Sequence, residues 1–176
     1  MKSALRVFLL ILIIIPSFMA YSQSGGRVKS ESIMAVYIFN FTKFLEWSNN
    51  DSDVFYISVL GKSRITESLF KVAENEKVKG KRIVIDELQD INNLKNNSVL
   101  FITGADADRL PAILKYASGK NVLTVGNTEK YAEKGVCINF FLSEDKIKFE
   151  INLKSIEKAG IIPNTRLLSI ASRIYE

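Results

Sequence analysis

The 176-residue chain contains no histidine, one cysteine, three prolines and one tryptophan. Without histidine there is no Ser-His-Asp or Cys-His relay, and the imidazole ligands of most zinc and copper centres are missing. Cys137 is the lone cysteine, so it can hold neither zinc nor an iron–sulfur cluster and has no partner for an internal disulfide. Its setting between Val136 and Ile138 predicts a buried, inert thiol, an intermolecular bridge being its other course in an oxidising compartment. The charge imbalance is small as well: 24 Lys and Arg against 19 Asp and Glu leave a formal net charge of +5, too mild to argue for nucleic acid. The densest basic stretch, Lys77, Lys79, Lys81 and Arg82, has no aromatic residues interleaved and reads as a solvated loop.

Long hydrophobic runs are absent but for one. Lys2 and Arg6 precede an apolar run from Val7 to Ile15, Pro16 breaks it, and Ala20-Tyr21-Ser22 places small residues at the −3 and −1 positions of a cleavage site. This is the layout of a secretory signal peptide over residues 1–22, cleaved before Gln23. A membrane anchor would need about 20 apolar residues, and a lipid anchor a cysteine at the cleavage point. Removal of Lys2 and Arg6 with that segment lowers the formal charge from +5 to +3. Residues 23–176 then suit one domain with a hydrophobic core, and the compartment speaks against nucleic acid.

Residues 23–29 are small and polar and predict a loose N-terminus. From Glu31 to Trp47 there is no Gly or Pro, and the apolar residues exceed one stripe of a 3.6-residue helix. Such a helix must be covered on more than one side. Ser30 or Ser32 could cap it, and Ser48-Asn49-Asn50-Asp51 ends it. Val54–Leu60 is an apolar run stopped at Gly61; Ile65, Leu69 and Val72 then recur at helical spacing. Arg82–Ile85, Val99–Ile102 and Val122–Val125 are short continuous runs of the kind that form strands buried on both faces. Between the last two lies a predicted helix from Asp108 to Ala117, with Pro111 tolerated in its first turn. Val136–Leu142 and Lys146–Ile151 flank Ser143-Glu144-Asp145 as an antiparallel hairpin. Asn152 can cap a short helix ending at Gly160, and Pro163-Asn164 opens a final helix whose apolar face is Leu167, Leu168, Ala171, Ile174 and Tyr175. The sum is a single α/β domain: a mixed, mostly parallel sheet with an antiparallel edge hairpin and helices on both faces.

Candidate chemistry is thin. Leu60-Gly61-Lys62-Ser63 has the strand–turn–helix setting of a phosphate-binding loop, but the glycine required five positions before Gly61 is Tyr56. The plain reading is a turn capped by Ser63. Asp86, Glu87 and Asp90 could be paired acid/base carboxylates, yet they fall in a polar stretch where solvated charges are commoner, and Glu144 and Asp145 lie in a hairpin turn. Nothing here makes an enzyme, and no cofactor or metal is called for.

A run of segments is more specific. Ala35-Val36-Tyr37-Ile38-Phe39-Asn40-Phe41-Thr42-Lys43-Phe44-Leu45-Glu46-Trp47 opens it. Val59-Leu60-Gly61, Val78–Ile83, Val99–Ile102, Val122–Val125, Ile138-Asn139-Phe140, Lys148–Asn152, Ala159-Gly160-Ile161 and Leu167–Ala171 follow in order. Together they span nearly all of the mature chain, which resembles the YfiR family of periplasmic proteins. The resemblance implies a non-enzymatic repressor that binds the periplasmic part of an inner-membrane diguanylate cyclase and restrains cyclic-di-GMP synthesis and biofilm formation. An outer-membrane lipoprotein that sequesters the repressor is implied too. Family members also occur near sensor kinases, so a periplasmic small-ligand sensor feeding a histidine kinase stands as the alternative. The best-known members form dimers and carry disulfides; here Cys137 has no partner, so redox control of the fold does not carry over. Glu150, Asn152, Ile156, Ile162 and Asn164 are the expected partner or ligand surface, against the plainer readings of Asn152 as a helix cap and Ile156 as core. Phe39, Phe41, Phe44 and Trp47 are expected in the core and at a homodimer contact.

Overall fold

The computed structural model describes residues 21–47 and 52–176, with side chains from Lys29 onward. The basic start, apolar run and proline of the expected signal peptide lie outside these residues, as does Ser48–Asp51.

Strands β2 (Val54–Leu60), β5 (Ser98–Ile102) and β6 (Val122–Gly126) are buried along almost their whole length. Continuous burial demands cover on both faces, and the strands supply two cores by alternation. Val99 and Phe101 enter the larger core, Leu100 and Ile102 the smaller one. These strands pair in parallel with one another, with β4 (Lys81–Leu88) and with β7 (Ile138–Ser143). Antiparallel pairs lie toward both ends: β3 (Lys77–Val78) on β4, and β8 (Lys146–Asn152) on β7. With β10 (Arg173–Tyr175) outermost, the eight-stranded order is β10-β8-β7-β6-β5-β2-β4-β3. Helices cover both faces. The larger core takes in residues of α1 (Tyr21–Phe44), α2 (Ile65–Ala73), α4 (Leu153–Lys158) and α5 (Thr165–Ile170); the smaller takes in α3 (Leu110–Ala117). The mixed, mostly parallel α/β architecture with a hairpin toward one edge is therefore the one the sequence predicts.

Two hairpins turn on residues of positive φ. Glu144 and Asp145, at 51° and 58°, join β7 to β8; Lys79 and Gly80, at 50° and 83°, join β3 to β4. A two-residue turn with both central φ values positive matches the right-handed twist of its strands. The basic stretch Lys77–Arg82 is thus a hairpin rather than a solvated loop, and Asp86 and Glu87 lie in β4, not in a polar loop.

Helix α1 buries Met34, Ala35, Ile38, Phe39 and Phe41 on one broad face, leaving Ile33 and Val36 36% and 49% exposed. Phe41 sits among aromatic rings, 4.9 Å from Phe149 and 5.7 Å from Phe140 between centroids. Truncating so buried a ring to alanine costs about 3–5 kcal/mol.

Several boundaries differ from expectation. The chain is already helical at Tyr21, the first described residue, where a loose stretch over residues 23–29 is expected, since extending a helix already anchored by packed turns needs no new nucleus. Ser30 and Ser32 therefore do not cap it; the Ser32 hydroxyl lies 3.3 Å from that of Ser68. It also stops at Phe44, and β1 (Leu45–Trp47) pairs with β9 (Ile161–Pro163) in a separate two-stranded sheet. Long-range bonds make this break: Asn164 N–H donates to the Phe44 carbonyl at 3.0 Å, and the Trp47 indole to the Asn121 carbonyl at 3.0 Å. Ser63 does not cap α2: Arg64 stands at the N-cap, with no side-chain cap bond, and the Ser63 carbonyl accepts from Thr66 N–H at 3.2 Å. A 3₁₀ segment, Gly104–Arg109, precedes α3 and takes the start expected of that helix. The final helix ends at Ile170, and Ile174 and Tyr175 belong to β10, because Ser172 N–H donates to the Phe149 carbonyl and turns the chain onto the sheet. Gly160 does end its segment as expected. Its φ is +73°, and a Cβ there would stand 2.5 Å from Asn121 Oδ1.

Candidate functional site

Phe149 and Ile151 point into the larger core, so the pleat sends Glu150, between them, to the opposite face. There it is 7% exposed, a carboxylate that must be held by donors to be tolerated. The hairpin register sets Asn139 directly across from it. Asn139 Nδ2 donates to Glu150 Oε1 at 3.1 Å, while Asn139 Oδ1 accepts from Thr128 N–H at 3.3 Å. The parallel pairing of β10 on β8 brings Arg173 and Tyr175 beside the other oxygen. Tyr175 donates to Glu150 Oε2 at 3.1 Å, Arg173 Nη1 lies 3.9 Å from the same oxygen, and Arg173 donates to the Tyr175 hydroxyl at 2.9 Å. Glu133 Oε1, 3.3 Å from that hydroxyl, competes for its single proton. The Arg173 hydrogen bond draws the Tyr175 hydroxyl downward, but burial and the Glu150 carboxylate together outweigh it, and the net shift is upward.

The cluster therefore fastens β10, β8, β7 and the loop after β6 to one another. It contains no activated nucleophile, and among the described residues no three metal-ligating side chains of His, Cys, Asp or Glu come together. Its chemistry is that of a clasp.

The other expected site residues separate. Asn152 is fully engaged: its Oδ1 accepts from Ser155 N–H at 2.8 Å, its Nδ2 donates to the Ala132 carbonyl at 2.8 Å, and it caps α4. Ile156 is 0% exposed and lies in the larger core, so it offers no contact surface. Asn164 caps α5 by accepting from Leu167 N–H at 2.9 Å. Ile162, on β9, is 65% exposed. Glu150 thus faces away from the core to which β9 contributes, and the five do not form one patch. Phe39 and Phe41 are core, and Phe44 and Trp47 pack against it, Trp47 edge-on to Phe55 at 5.1 Å.

Asn139, Arg173, Tyr175 and Glu133 escaped the sequence reading. A signal for the first was present. In a hairpin turning at Glu144-Asp145, each residue of one strand faces its mirror position on the other, and Asn139 and Glu150 are the polar residues at mirrored positions in apolar runs. No local pattern foretells β10.

A family model described as YfiR/HmsC-like matches residues 31–172. No curated protein matches the chain. Among solved structures, a conserved domain protein from Vibrio cholerae O1 biovar El Tor N16961 is similar in fold, with a TM-score of 0.51, 13% identity and 68% of this chain covered. A chain described as an ABC domain in complex with L-Trp, from Streptococcus pneumoniae, gives 0.54, 11% and 77%. This chain spans only 54% and 58% of the length of those two.

Proposed function

The chain belongs to the YfiR/HmsC-like family, and we propose from that premise that it is a non-enzymatic regulator acting in the periplasm on an inner-membrane signalling protein. Its target is a diguanylate cyclase, and its binding lowers cyclic-di-GMP and biofilm formation. The family match over residues 31–172 carries the reading, since it takes in every strand but β10 and all the helices that make the two cores, though not the start of α1. The character of the Glu150 cluster supports it: the buried polar groups satisfy one another and brace structure.

Export rests on Lys2, Arg6, the Val7–Ile15 run and Ala20-Tyr21-Ser22; no helix among the described residues is long and apolar enough to cross a membrane. Of the expected contact residues, Ile162 and Asn164 are offered to a partner by their exposure, with Glu150 acting beneath the surface by holding β10 in place. Among the described side chains of α1, the exposed Ile33 and Val36 are apolar positions offered for a homodimer contact. An outer-membrane lipoprotein that sequesters the protein completes the scheme.

Deletion of the gene tests the reading. Cyclic-di-GMP and surface attachment should rise, the intact gene should restore both, and the protein should capture the periplasmic part of a membrane cyclase. Ile162→Asp should lose capture while folding and export stay normal. Unchanged cyclic-di-GMP and no capture would overturn the proposal; a change confined to the output of a histidine kinase would favour the sensor reading.

A further inference from the structure

A cavity of about 200 Å³ opens between α3, the first half of β6, the residue before β7, and α4. Ala117, Val122, Cys137 and Ala159 line its inner part and are all at least nine-tenths buried. Thr124 also lines it, but its Oγ1 already accepts from Cys137 N–H at 3.0 Å. Ser118 adds a hydroxyl to the lining beside that of Ser155, and apart from Thr124 the most deeply buried lining, Ala117, Val122, Cys137 and Ala159, is apolar. Ser155 and Lys158, one turn apart on α4, line its outer part. Lys158 is the only charged lining residue, no carboxylate lines the cavity, and Lys158 has no ion pair among the described residues.

Apolar depth under one uncompensated cation selects a ligand with a hydrocarbon body and a single anionic end. Size narrows it further. An apolar cavity of 150 Å³ accommodates benzene, so the space here takes roughly eight non-hydrogen atoms on the same scale. That is the size of a six-carbon monocarboxylate. We propose that this cavity binds a small aliphatic monocarboxylate, its chain against Ala117, Val122, Cys137 and Ala159 and its carboxylate at Lys158 and the Ser155 hydroxyl. The site is separate from the Glu150 cluster and does not depend on which membrane protein the chain regulates.

Cys137 provides a built-in reporter, being the chain's one thiol and part of the cavity lining. Hexanoate is the probe and hexanamide, its uncharged analogue, the control. Hexanoate should raise the melting temperature saturably and slow the modification of Cys137 by a small methanethiosulfonate, with hexanamide much weaker in both. Lys158→Met, at an exposed position, should weaken hexanoate about tenfold or more, as expected for one charge-assisted hydrogen bond. Ser155→Leu, which fills the outer part, should abolish thiol protection in a folded protein. The proposal is overturned if hexanoate gives no saturable shift up to its solubility limit. Equal binding of hexanamide, unaltered hexanoate affinity in Lys158→Met, or binding without thiol protection would each overturn it too.

Discussion

Glu150→Ala should loosen β10 more than any other element, and the size of the effect follows from the partners it leaves behind. Asn139 is 1% exposed, so its Nδ2 loses its carboxylate acceptor where water does not reach; an orphaned buried donor costs about 1–3 kcal/mol. Tyr175 is only half-buried and can turn its proton to Glu133 Oε1, so its share is smaller, about 0.5–1 kcal/mol. Relief of the carboxylate's own desolvation offsets part of this, leaving a loss of about 1–3 kcal/mol. For a domain of this size that lowers the melting temperature by roughly 2–12 °C. Tyr175→Phe should cost about 1 kcal/mol, and because the two groups share one hydrogen bond, the double variant should fall short of the sum by about 1 kcal/mol. Urea denaturation of the four proteins gives the coupling. Hydrogen exchange locates it: the amides of Arg173–Tyr175 should gain exchange in Glu150→Ala before those of β5 do. Strict additivity, or a loss below about 0.5 kcal/mol, would refute the clasp.

Burial pushes the Cys137 thiol up, only partly offset by hydrogen bonds with Thr124. The folded state therefore stays protonated where the unfolded chain, near pKa 8.5, ionises; the stabilisation is complete below about pH 8.5 and is lost as pH rises beyond it. Stability should decline in that window by up to about 1.4 kcal/mol per pH unit, and Cys137→Ala should flatten the decline; identical slopes in denaturant titrations would disprove this. Gly160→Ala combines a left-handed φ with a close approach to Asn121, and should cost at least about 2 kcal/mol, of which Asn121→Ala recovers the steric part; an additive pair would show that the contact is slack. Val36→Lys should abolish the proposed homodimer, giving a folded protein of monomer mass by light scattering, and a species of unchanged mass would remove α1 from the contact.

The elements legible in the sequence are those whose cause is local. Val99–Ile102 and Val122–Val125 are apolar on both faces and could only be central strands; Glu144-Asp145 supplies its own turn; Asn152 caps α4 with its own side chain. Strands β1, β9 and β10, three residues each, were not legible. Each is fixed by bonds to distant chain: Phe44 to Asn164, Trp47 to Asn121, Ser172 to Phe149. Helical spacing at Leu167, Leu168 and Ala171 continues naturally to Ile174, and only the sheet edge takes the chain away. The site divides in the same way. Glu150 stood out as an acid in an apolar strand, but its partners arrive through a parallel pairing that no sequence spacing announces.

The pairing of β1 with β9 bears on how the molecule is made. Phe44 and Asn164 are 120 positions apart, and the rings of Tyr37 and Phe41 find Phe140 and Phe149 only in the second half of the chain. During synthesis α1 can meet α2 early, as the Ser32–Ser68 contact shows, but its aromatic face has no partner until β7 and β8 have followed. High contact order of this kind slows folding, and the interval leaves an aromatic-rich helix open to other chains. The aromatic face of α1 is thus made long before it is covered, which makes it the surface a chaperone would have most reason to hold.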